Sequence, residues 1–131
     1  MKIIALDFDG TIVKHEYPKI GEPVPHALRV INRLMGLSYV KLILYTLRSC
    51  TALTDAVDYC LKGGITFWGI NQNPDQRSWS QSPKAYANLY IDDAALGCPL
   101  IYPNDNSRPF VNWTHVELLL ESMNILSDRN K

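Results

Sequence analysis

The chain reads as an α/β protein of the Rossmann-like kind, a parallel sheet with helices on both faces. Two observations predict this. Short apolar runs of strand character alternate with segments whose apolar residues recur at helical spacing. Several of the strand-like runs also end on Asp or Thr, and in an open parallel sheet the carboxyl ends of the strands form one edge where ligands bind.

The elements follow in order. Residues 2–6, Lys-Ile-Ile-Ala-Leu, form the first strand. Residues 13–22 are mixed and polar, with Pro18 and Gly21, and suit a loop or short hairpin. Pro25 then precedes a helix over 27–35, in which Ile31, Leu34 and Met35 share a face and after which Gly36 supplies a stop. Residues 39–45 are β-rich and apolar except for Lys41, a buried strand. A second helix starts near Thr51 or Thr54, carries Leu53, Val57, Cys60 and Leu61 as its stripe, and ends at Gly63-Gly64. A third strand covers 65–70, and the Asn-, Gln-, Ser- and Pro-rich stretch 71–83 is an exposed loop. Residues 89–91 and 99–102 are short strands, and a closing helix covers 113–126 with Val116, Leu119, Leu120 and Met123 inward.

At 131 residues the chain suits a single domain, 1–131, with one core. Its 13 basic residues balance its 13 acidic ones, which argues against a dedicated nucleic-acid binder. No apolar run is long enough to span a bilayer, and Asp7 interrupts the first apolar run too early for a signal peptide, so a cytoplasmic protein is expected. Three cysteines, Cys50, Cys60 and Cys98, without Cys-x-x-Cys spacing, read as free thiols in a reducing compartment.

The chemistry concentrates at Asp7-Phe8-Asp9-Gly10-Thr11. Strand alternation puts Asp7 and Asp9 on one face at a strand tip. Two carboxylates that close repel unless a cation or a proton is shared. An isolated Asp-x-Asp-Gly stretch is more often a turn, but Thr46 at the end of the second strand, Lys84 ahead of the fourth and Asp92-Asp93 after it add polar groups of the right kinds in order.

In these four positions the chain resembles the haloacid dehalogenase-like hydrolase superfamily, over roughly residues 1 to 95. The resemblance implies that Asp7 is a nucleophile forming an aspartyl-phosphate, and that Asp9 acts as general acid and base. It implies Mg²⁺ held by Asp7, the Asp9 carbonyl and Asp92, with Asp93 as an outer or water-mediated ligand. Thr46 and Lys84 would bind the phosphoryl oxygens, helped by backbone N–H groups of the turn at Gly10. An Asp at position 9, not an apolar residue or Thr, matches the phosphatase and phosphomutase branches. The spaces where such proteins carry a cap hold only a flap and a loop, so a capless phosphatase is expected. Its phosphorylated substrate would be large or macromolecular, or a neighbouring subunit would cover the site, or the site would stay wet and weakly specific. Arg48 and Trp79 would contact the leaving group, with Lys14, His15, Tyr17 and Arg77 nearby. Two other readings stay open. One is a receiver-like phosphoacceptor module, the other a binding protein that keeps the fold without turnover.

Overall fold

The structure, a computed structural model, describes residues 1–127. Four strands, β1 (Lys2–Leu6), β2 (Val40–Leu44), β3 (Gly69–Ile70) and β4 (Leu89–Ile91), form one parallel sheet in the order β3-β2-β1-β4. The register aligns Ile4 with Leu42 and Leu89, and Leu6 with Leu44 and Ile91. These rows face one large core that takes in side chains from all three helices, α1 (Ala27–Met35), α2 (Cys50–Lys62) and α3 (Trp113–Ser122).

The helices therefore lie on one face of the sheet, not on both. Connections from β1 to β2 and from β2 to β3 step in the same direction, and right-handed crossovers put both helices on the same side. The return from β3 to β4 passes the other face, but it carries only a 3-10 turn, Gln76–Ser78. On that face a small cluster of Ala5, Ile43 and Ala87 is flanked by Ile3, Tyr45 and Trp68, with no helical residue in it. Two nearly buried amides hold this polar segment in shape. Asn73 donates to the Tyr86 carbonyl, while Gln76 donates to the Ser82 and Lys84 carbonyls and accepts from the Tyr86 N–H. Such bonds let an irregular segment lie against the sheet without stranding its backbone.

Several elements depart from the sequence reading in informative ways. The third strand pairs over only two residues, because Gly64 turns at φ +88° and the Ile65 N–H is spent on the Cys60 carbonyl at the end of α2. The stripe of α2 is centred on Ala56 and Cys60, with Leu61 outside. Burial pushes the Cys60 thiol up to about 12, so it is an inert core group. The closing helix ends at Ser122 and buries Trp113, Val116, Glu117 and Leu120, leaving Leu119 and Met123 half-exposed. Glu117 displaces them because it accepts from Arg29 at 2.7 and 3.1 Å and from Arg33 at 2.7 Å, which fastens α3 to α1. Residues 100–101 do not join the main sheet. Leu100–Ile101 (β5) pairs antiparallel with Phe110–Val111 (β6), a strand the sequence reading omits. No helix among the described residues is long and apolar enough to cross a membrane.

Candidate functional site

The site grows from the end of β1. The Asp7 N–H donates to the Ile91 carbonyl at 3.0 Å, which prolongs the β1–β4 pairing and sets Asp7 beside Asp92. Phe8 points into the helical core and is fully buried, while Asp7 and Asp9 both line the cleft beyond the end of β1. The Phe8 carbonyl then accepts from the N–H groups of Thr11, Ile12 and Val13, a tight turn that Gly10 closes at φ +81°. A Cβ at position 10 would collide with His15 Nε2 and Asp93 Oδ2. The Gly10 N–H is bound to the Val13 carbonyl at 2.7 Å, so it does not point at a substrate. The glycine's role is to leave room.

Thr11, fully buried, ties the turn to the acids. Its hydroxyl donates to Asp7 Oδ2 at 3.1 Å and accepts from the Asp93 N–H at 3.2 Å. Carboxylate oxygens of Asp7, Asp92 and Asp93 lie within 4.8 Å of one another. Burial, then the neighbouring Asp92 and Asp93 carboxylates, push the Asp7 carboxyl up to about 8. Burial also raises Asp92, opposed by the Ala94 N–H that donates to its Oδ1 at 2.8 Å. Asp93 pairs with His15, whose Nε2 lies 2.8 Å from Asp93 Oδ2. Three carboxylates this close form the all-oxygen donor set that a hard divalent cation takes.

Asp9 stands apart from this trio. Both of its oxygens accept from Arg48, Nε to Oδ2 and Nη2 to Oδ1, each at 2.8 Å. Arg48 is 2% exposed, so it is not a surface arginine. Its remaining N–H groups donate to the carbonyls of Pro18, Ala52 and Lys19, and its plane lies over the rings of Phe8 and Tyr17. All five guanidinium donors are thus used inside the protein. One side chain joins Asp9, the flap after β1 and the start of α2.

Thr46 follows β2, with its N–H held by Asn71 Oδ1 at 2.7 Å and its hydroxyl accepting from the Arg48 N–H at 3.1 Å. The hydroxyl proton remains available. These groups open on a cleft of about 710 Å³. Asp7, Asp92 and Asp93 line it, Thr46 and Asn71 stand at the β2 and β3 tips, and Tyr17, Leu47 and Arg108 are exposed where they line it.

Of the site residues expected from sequence, Asp7, Asp9, Thr46, Arg48, Asp92 and Asp93 line this one cleft. Lys84 does not. It is exposed, and its ammonium lies 5.4 Å from the centre of the Tyr90 ring. Trp79 is also outside the cleft, 64% exposed and edge-to-face with Tyr86 at 5.7 Å. Both belong to the segment on the far face of the sheet, which explains their separation from the strand tips. Asn71, Thr11 and Arg108 were missed as site residues. Asn71 carried a usable signal, a polar residue directly after a strand, whereas nothing in the sequence marks Arg108.

The solved structure of a conserved protein from Bacteroides thetaiotaomicron is similar, with a TM-score of 0.75 and 31% identity over 93% of this chain and 91% of that one. The chain belongs to the family of that protein. No protein-family model and no curated protein matches it. The match covers nearly the whole of both chains, so the overall fold is shared with that protein.

Proposed function

We propose that the protein is a capless phosphatase of the haloacid dehalogenase-like type, which hydrolyses phosphate monoesters through an aspartyl-phosphate on Asp7. The observation that carries this reading is the crowding of Asp7, Asp92 and Asp93 at one strand edge, with Asp9 held separately two residues on. A carboxyl at about 8 is mostly protonated at neutral pH and a poor nucleophile. A cation beside it restores the anion, and the all-oxygen set fits Mg²⁺. Asp7, Asp92 and Asp93 would hold that ion, which would neutralise charge on the phosphoryl oxygens.

The chain's own residues do the rest. An Asp7 oxygen attacks phosphorus and forms the P–O bond as the ester P–O bond breaks. Asp9, both of whose oxygens accept from Arg48, takes a proton from the water that splits the acyl phosphate, while the departing oxygen takes its proton from solvent rather than from Asp9. The Thr46 hydroxyl donates to a phosphoryl oxygen, and Thr11 keeps one Asp7 oxygen oriented. Tyr17 and a fully exposed Leu47 leave the cleft open to solvent, which favours a large phosphorylated substrate whose own surface excludes water.

Release of phosphate from an aryl phosphate, with Mg²⁺ and with chelator, tests the reading. Asp7→Asn should remove turnover, and Asp9→Asn should slow it on the order of a hundredfold or more. Wild-type rates in Asp7→Asn would exclude the covalent mechanism.

A further inference from the structure

Resting on the phosphatase reading, we infer that Arg108 is the side chain that grips the phosphoryl group in this cleft, in the place that sequence order assigns to Lys84. A phosphate dianion brought against three carboxylates needs positive charge from the protein as well as from a metal. Three side chains lining the cleft can carry it: His15, Arg48 and Arg108. His15 is bound to Asp93 at 2.8 Å. Arg48 has all five donors committed to Asp9 and three carbonyls. Arg108 has no hydrogen bond or ion pair among the described residues. Asp105, the nearest acid along the chain, is turned to Ser107, whose hydroxyl donates to it at 2.6 Å.

The position of Arg108 is built in. It precedes Pro109, which restricts its backbone to extended conformations. The β5–β6 hairpin that carries it is fastened to the nucleophile turn. The Val111 N–H donates to the Gly10 carbonyl at 3.0 Å, and the Trp113 indole N–H donates to the Thr11 carbonyl at 2.7 Å. The hairpin and the Asp7–Asp9 turn are therefore tied together, and Arg108 lines the same cleft as Asp7 and Thr46. A planar fork of N–H donors suits two phosphoryl oxygens at once, which a lysine ammonium does not match.

The test compares wild type with Arg108→Gln, Arg108→Lys and Lys84→Gln, all exposed positions whose substitution leaves the core intact. Inorganic phosphate is titrated into each protein in Mg²⁺ by calorimetry, and aryl phosphate turnover is measured in parallel. Arg108→Gln should weaken phosphate binding about tenfold or more, with Arg108→Lys between it and wild type and Lys84→Gln indistinguishable from wild type. Phosphate affinity unchanged in Arg108→Gln, or lost in Lys84→Gln, overturns the inference while wild-type turnover keeps the phosphatase reading. A wild type that neither binds phosphate nor turns over the ester overturns both.

Discussion

Arg48→Ala should be the most damaging single truncation near the cleft. The Arg48 side chain is 1% exposed, and Asp9 opposite it is 17% exposed. Removing the guanidinium leaves Asp9 without its counter-charge and strips donors from the Pro18, Lys19 and Ala52 carbonyls. Breaking a buried pair by deleting one partner costs about 3–5 kcal/mol, and partial access of water to Asp9 favours the lower end of that range. Lost contact with the Phe8 and Tyr17 rings acts the other way, so about 4 kcal/mol is expected. That is a large share of the roughly 5–15 kcal/mol that holds an ordinary domain together. Arg48→Lys should recover little of it, because one ammonium cannot serve five diverging acceptors. Equilibrium unfolding in denaturant, without metal, measures the loss. A cycle with Asp9→Ala should show coupling of at least about 2 kcal/mol, since the two groups share one pair. Limited trypsin digestion gives a local readout, because the freed flap would expose the bonds after Lys14 and Lys19. A loss under about 1 kcal/mol, with the flap still resistant, would show that the fork does not organise this region.

Two further outcomes bear on the acids. The Asp7 carboxyl sits at about 8 against an ordinary 3.8, so the metal-free native state binds more protons than the unfolded chain between those values. Its stability should therefore fall as pH rises from about 4 to about 8, by a few kcal/mol, and Mg²⁺ should restore it at the upper end. Asp7→Asn should flatten that slope and abolish the response to Mg²⁺. Equal slopes in both proteins by urea titration would contradict the crowding. Gly10→Ala combines a positive φ with a collision against His15 and Asp93. It should cost on the order of 2 kcal/mol or more and loosen the His15–Asp93 pair, visible as a changed His15 imidazole signal by NMR. An unperturbed His15 signal would mean that the turn relaxes without disturbing the site.

Local chemistry made much of the molecule legible before any coordinates. The acids of the Asp7–Thr11 stretch stand at one cleft beyond β1, the proline and glycine flanking 27–35 marked α1, and apolar runs marked β1, β2 and β4. These signals depend on neighbours a few residues away, and such preferences are written along the chain. The meeting of Asp7, Thr46 and Asp92 followed from one topological rule, that parallel strands end at one edge. What tertiary structure alone decided involves partners far apart. Arg48 reads as a leaving-group contact, yet Asp9, Pro18 and Lys19 close around it. Glu117 reads as polar face until Arg29 and Arg33 bury it, shifting the inward stripe of α3. Lys84 and Trp79 stand in sequence where a cleft residue would stand, yet the return crossover carries them to the far face of the sheet. Arg108 reaches the cleft only because the β5–β6 hairpin is bound to the Gly10 turn. For Arg48, Glu117 and Arg108 the deciding contact is a long-range hydrogen bond or ion pair, and for Lys84 and Trp79 it is the path of the crossover; no local window contains either.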